Sequence, residues 1–144
     1  MTRRYAIERS IGAPPDVVWA LLTDASTYPA WNDAVISIDG PIALGERIEL
    51  VSIADPKRTF KLKVAELAAP RRMVWTDGMP LGLFTGTRTY ELTRTSDGTR
   101  FSMVEQFTGP LAGLITKMIP DLTESFERFA DGLKAAAEGA QSSA

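Results

Sequence analysis

Few side chains in this sequence are equipped for proton chemistry in an enclosed site, and three of them, Arg88, Tyr90 and Glu105, fall on one predicted hairpin. The chain has no histidine and no cysteine. A Ser-His-Asp or Cys-His nucleophile system therefore cannot be assembled, a zinc site of imidazole and thiolate ligands is excluded, and no disulfide can form. Acid–base work, if there is any, has to rest on carboxylate, tyrosine or water.

The hairpin is read from Asp97-Gly98, a strong two-residue turn signal between alternating runs. With Ser96 facing Thr99, Leu92 falls opposite Met103, Tyr90 opposite Glu105 and Arg88 opposite Phe107, all on one face. Arg88 is then diagonal to Glu105. The other face pairs Thr93 with Ser102, Glu91 with Val104 and Thr89 with Gln106, and reads as solvent-facing. The first face must be covered, and it carries a carboxylate and a guanidinium among large apolar groups. Two readings follow. The polar groups orient a ligand or act on it, with Glu105 as acid or base, Tyr90 as hydrogen-bond donor and Arg88 as stabiliser of enolate charge. Alternatively, they form a structural ion pair that closes the core.

Other chemistry is thinly represented. Asp55, Asp77, Asp97 and Asp121 read as turn or cap residues, with no calcium-loop spacing. No glycine-rich phosphate loop is present, and the Lys57-Arg58 and Arg71-Arg72 pairs read as solvated turn charges. No metal and no cofactor is expected. With 16 Lys+Arg against 18 Asp+Glu, the chain lacks the basic footprint of a nucleic-acid partner. No apolar run approaches a membrane span, so no stable membrane insertion is expected. The arginines of Met1-Thr2-Arg3-Arg4-Tyr5 precede no apolar stretch, so the segment is not read as a signal peptide and a cytoplasmic protein, monomer or homodimer, is expected.

The elements that hold these residues follow from periodicity. Tyr5, Ile7 and Ile11 alternate as a strand, with Arg9 the exception on the apolar face. Gly12-Ala13-Pro14-Pro15-Asp16 ends it and starts a short helix carrying Val17, Val18, Trp19, Leu21 and Leu22; a second short helix falls within 24–31. Strands follow at 35–38, 47–53, 60–64 and 73–76, then a Gly/Pro-containing segment, Asp77 to Gly86, with apolar Met79, Leu81, Leu83 and Phe84. That segment reads as a cavity gate, a dimer contact or an inward-tucked loop. From Gly109-Pro110 a long helix with apolar Leu111, Leu114, Ile115, Met118, Leu122, Phe126, Phe129 and Leu133 covers the sheet, interrupted near Ile119 by Pro120. The fold class is α+β, a curved antiparallel sheet of about seven strands wrapped around a long C-terminal helix. The 144 residues make one domain, 1–138, with a frayed tail at 139–144. Trp31, Trp75, Phe84, Tyr90, Met103, Phe107, Met118, Leu122 and Phe126 either fill the core or line a pocket with Arg88 and Glu105; spacing alone leaves both open.

Four stretches resemble a known family: Ile11 through Trp19, the Asp24…Tyr28…Trp31 segment, Asp97 through Phe101, and Phe107-Thr108-Gly109-Pro110-Leu111. The chain is similar over nearly its whole length to the START-related helix-grip (SRPBCC) superfamily, within it to the polyketide cyclase/dehydrase and lipid-transport type. The resemblance implies a deep cavity between sheet and C-terminal helix and a hydrophobic ligand, lipid- or polyketide-like. It also admits a metal-free cyclase or dehydratase using Glu105, and a co-chaperone-like interaction domain. Its motifs sit at helix starts, turns and core positions, so they speak to fold and not to a reaction.

Overall fold

In the computed structural model, which describes residues 3–142 and the side chains of 4–140, strand β1 (Arg3–Ile11) leads into helix α1 (Pro15–Leu22). A single 3-10 turn (Ala25–Thr27) and the one-turn helix α2 (Tyr28–Trp31) follow. Pro15 at the first helical position starts α1, because its fixed φ and missing N–H suit that place. Six strands come next: β2 (Val35–Asp39), β3 (Arg47–Ser52), β4 (Phe60–Ala68), β5 (Arg72–Gly78), β6 (Thr85–Thr95) and β7 (Gly98–Thr108). All neighbours are antiparallel, in the order β1-β7-β6-β5-β4-β3-β2. The curved sheet grips the C-terminal helix, the expected α+β helix-grip architecture.

The final hairpin keeps its predicted faces but not its predicted register. Thr95 pairs with Gly98, Leu92 with Phe101, Tyr90 with Met103 and Arg88 with Glu105. The loop is Ser96-Asp97, one residue earlier than the turn signal implies. Moving a hairpin loop by one residue changes the cross-strand partner by two, so each side chain stays on its face. The cause is a second demand on Gly98. It is drawn into β7 at φ 150°, where a Cβ would overlap the Ile11 carbonyl oxygen. Its bare backbone lets the β1–α1 connection lie across the hairpin end. There the buried Thr99 Oγ1 donates to the Ala13 carbonyl at 2.7 Å. Thr99→Val removes that bond and strands a carbonyl; a loss of about 1.5 kcal/mol is expected in urea unfolding. An unchanged midpoint at unchanged slope would refute it.

The C-terminal segment departs further from its prediction. Instead of one kinked helix from Gly109, a single turn α3 (Ala112–Ile115) and a 3-10 turn (Thr116–Met118) precede a break. Ile119 is extended, φ −90° and ψ 127°, as the residue before a proline prefers. Asp121 Oδ1 then accepts from Thr123 N (2.9 Å) and Thr123 Oγ1 (2.7 Å), and the long helix α4 (Thr123–Ser142) begins. Residues 139–142 continue α4 where a frayed tail was expected; 143–144, and Met1-Thr2 at the other end, lie outside the described residues. Phe126, Phe129, Ala130, Leu133 and Ala137 form its buried stripe. Phe129 is its centre, with ring centroids 5.6 Å from Trp31, 5.7 Å from Tyr90, 6.0 Å from Tyr28 and 6.5 Å from Phe101. The anomalous Arg9 is half-buried because its Nε reaches Asp131 on α4 at 2.8 Å. Among the described residues no helix is long and apolar enough to cross a membrane.

Candidate functional site

The inner sheet face is covered in two ways. Phe129 and its neighbours on α4 seal the part that carries Tyr90 and Phe101. Past Arg88 and Glu105, the cover is the broken segment around Ile119, Pro120 and Leu122. A cavity of about 60 Å³ remains there. Its walls are Leu50, Phe60 and Leu62 from β3 and β4, Trp75 from β5, Arg88 from β6, and Glu105 and Phe107 from β7, with Phe84 just ahead of β6. The exposed Arg58 and half-buried Asp55 and Asp77 are its other charged members.

Arg88 and Glu105 are directly opposite each other across the β6–β7 ladder, not diagonal as predicted. Arg88 Nη2 donates to Glu105 Oε1 at 3.1 Å, and the two side chains keep 17% and 13% of their surface. The guanidinium carbon also stands 4.9 Å from the centroid of the Phe126 ring, a cation–π contact. Burial alone would favour loss of the Arg88 proton, but the adjacent Glu105 carboxylate and Tyr90 outweigh it and push the Arg88 pKa above its usual value. Burial pushes the Tyr90 phenol well up as well, against the opposing pull of Arg88. Tyr90 is therefore a neutral phenol at any ordinary pH.

Of the predicted wall residues, the fold brings Trp75, Phe84, Arg88, Glu105, Phe107 and Leu122 together around the cavity. The remaining five stand elsewhere. Tyr90 lies behind Trp75 (centroids 4.9 Å apart) and is fully buried in the core, with Met103 opposite it. Along β6 and β7 the pair facing the cavity is Arg88 and Glu105, and the next pair inward, Tyr90 and Met103, is already under Phe129. Trp31 packs on Tyr28 at 4.7 Å and donates its Nε1–H to Thr27 Oγ1 at 3.0 Å, as a core residue of α2. Phe126 supports Arg88 from α4 without lining the cavity. Met118 is 76% exposed, because the 3-10 turn ends just after it and rotates it outward. Leu50, Phe60, Leu62, Ile119 and Pro120 were missed as wall residues. The alternation at 60–64 marked the inner face but nothing in it marked the uncovered end.

The segment between β5 and β6 borders the cavity. Met79 N donates to Phe84 O at 2.8 Å, closing a tight loop in which Leu81 is 97% exposed with φ 63°. Phe84 turns back inside and stacks on Phe107, centroids 5.7 Å apart. Leu111 N donates to Leu83 O at 2.9 Å, which ties this loop to the start of the C-terminal segment. Two coverings of the cavity are thus joined to each other.

The model of the family described as polyketide cyclase / dehydrase and lipid transport matches residues 2–138. No match is found among curated proteins. Among solved structures, one from Nitrosomonas europaea superposes with a TM-score of 0.74 at 19% identity, covering 96% of each chain. A protein of unknown function from Staphylococcus aureus gives 0.71 at 16%, covering 99% of this chain and 97% of its own. A point mutant of norcoclaurine synthase from Thalictrum flavum, in complex with a transition-state analogue, gives 0.74 at 13%, covering 98% and 97%. At these identities the likeness is one of fold.

Proposed function

We propose, since the chain belongs to the polyketide cyclase/dehydrase and lipid transport family, that it binds one hydrophobic or aromatic small molecule in the cavity between sheet and C-terminal segment. The observation that carries this is an apolar chamber with an enclosed Arg88–Glu105 pair on its wall. Ligand sites are typically apolar concavities with a few polar groups that fix orientation. The chamber is about 60 Å³ in this closed form, whereas a protein cavity that takes up benzene measures about 150 Å³. Binding therefore requires it to widen. The joined coverings, the Met79–Phe84 loop and the break at Ile119-Pro120, are the parts that give, and they act as the gate.

Native mass spectrometry of the purified protein tests the reading: a co-purifying apolar adduct is expected, released on denaturation. Glu105→Gln then weakens the recovered compound about tenfold through the loss of a charged hydrogen-bonding group. An affinity unchanged by Glu105→Gln would remove Glu105 from the site.

A second reading is a cyclase or dehydratase. It is favoured by the carboxylate on an apolar wall next to a fixed guanidinium, the arrangement for proton abstraction with enolate stabilisation. Tyr90 has no part in it, being behind Trp75. In that case Glu105→Gln abolishes turnover of the bound compound while its binding survives.

A further inference from the structure

One residue of the wall carries a buried polar group that the Arg88–Glu105 pair does not account for. Trp75 lines the cavity, is 1% exposed, and its Nε1–H is buried with no acceptor among the described residues. Buried indole N–H groups are nearly always paired. Trp31 obeys that rule through Thr27. Trp75 and Arg88 are direct cross-strand partners on β5 and β6, so indole and guanidinium stand side by side. The guanidinium has five N–H donors, of which one goes to Glu105 Oε1. Indole and guanidinium together make this corner of the chamber a donor site.

We infer that the Trp75 indole N–H is the polar anchor of the ligand, acting beside Arg88, and that the ligand presents an uncharged oxygen acceptor, such as a ketone or ester carbonyl, on an apolar or aromatic body. The inference rests on the binding reading above and narrows its ligand class. The charges of Arg88 and Glu105 cancel and the one further cation of the lining, the exposed Arg58, stands against Asp55 and Asp77, so a ligand carboxylate would enter uncompensated and lose its hydration. A carbonyl carries no such cost and satisfies the orphaned donor.

Acetophenone and α-methylstyrene have the same shape and differ in C=O against C=CH2, so they isolate the acceptor; benzoate adds the charge. The probes are titrated into 15N- and methyl-labelled protein. The Trp75 indole resonance is identified by its loss in Trp75→Phe, or by through-bond assignment if that variant does not fold. Both neutral probes are expected to shift the methyls of Leu50 and Leu122, and only acetophenone to move the Trp75 N–H downfield. Trp75→Phe weakens acetophenone about fivefold and leaves α-methylstyrene within about twofold. Benzoate binds at least about tenfold more weakly than acetophenone. If both neutral probes enter but move the indole N–H equally, or if benzoate binds best, the anchor inference is overturned and the binding reading stands. If neither moves the Leu50 and Leu122 methyls, both are overturned.

Discussion

Arg88→Met is expected to lower the unfolding free energy by about 3 kcal/mol, because it leaves Glu105 in an apolar corner without its counter-charge. The side chains are 17% and 13% exposed, so solvent screens the loss only partly. Methionine keeps most of the stem volume, and the packing on Phe126 loses the cation–π contribution but not its contact area. For a chain of 144 residues this corresponds to a fall of about 10 °C in the melting temperature. The measurement is urea unfolding with thermal unfolding as a check.

The partner experiment separates the two meanings of the pair. In Arg88→Met/Glu105→Leu both charges are gone and the corner is filled by apolar groups of similar size. Desolvation costs for two buried ions are large and their attraction offsets them only when geometry is excellent. Here the contact is one N–H to one oxygen at 3.1 Å, not a bidentate fork. The double variant is therefore expected to regain wild-type stability or to exceed it. That result would mean the fold does not depend on the pair, leaving the ligand as its reason. A double variant as unstable as Arg88→Met alone would instead make the pair structural and would remove the main support for the binding site.

What the sequence disclosed follows from which physical rules are local. Strand alternation is local, so the inner face of β6 and β7, and the burial of Arg88 and Glu105 on it, were legible. Register was not, since Gly98 serves both a turn signal and a close approach by Ile11 and Ala13, residues far away in the chain. That shift of two made Glu105 the partner of Arg88 in place of Tyr90. Pro120 marked a break in the helix, but only the cap from Asp121 to Thr123 fixes where α4 restarts. The apolar pattern from Leu111 to Met118 therefore read as part of the long helix, and Met118 was assigned to a wall from which it points away. Trp31 and Trp75 look alike as isolated tryptophans. They differ in whether the indole N–H finds an acceptor, which is a tertiary fact: Thr27 stands within the same short helical segment as Trp31, while among the described residues no acceptor reaches Trp75.

Gly132→Ala is the second large effect, and here helix propensity and packing predict opposite signs. In the middle of a helix, alanine is favoured over glycine by about 1 kcal/mol. On α4, however, a Cβ at position 132 would overlap the Trp31 carbonyl oxygen and come within 3.2 Å of its carbon. The obstacle is backbone, held by Asn32 N to Tyr28 O at 2.7 Å, Ala34 N to Asn32 Oδ1 at 3.2 Å and the Trp31 indole bond to Thr27. It cannot step aside as a flexible side chain would. The helix must move instead, and with it Phe129, whose ring meets Tyr28, Trp31, Tyr90 and Phe101, and Phe126 beneath Arg88. Overpacking of this kind costs about 3 kcal/mol, which the propensity gain reduces to a net loss of about 2 kcal/mol, so a fall of about 7 °C in melting temperature is expected. Gly139→Ala is the control on the same helix: its Cβ would meet nothing within 4 Å, and a gain of about 0.5 kcal/mol is expected from propensity and the unfolded chain. Opposite shifts in the two variants would isolate the contact with Trp31. A stabilised Gly132→Ala would mean that α4 can retreat freely from α2, and the seal that confines the cavity to the Arg88–Glu105 end of the sheet would then be loose.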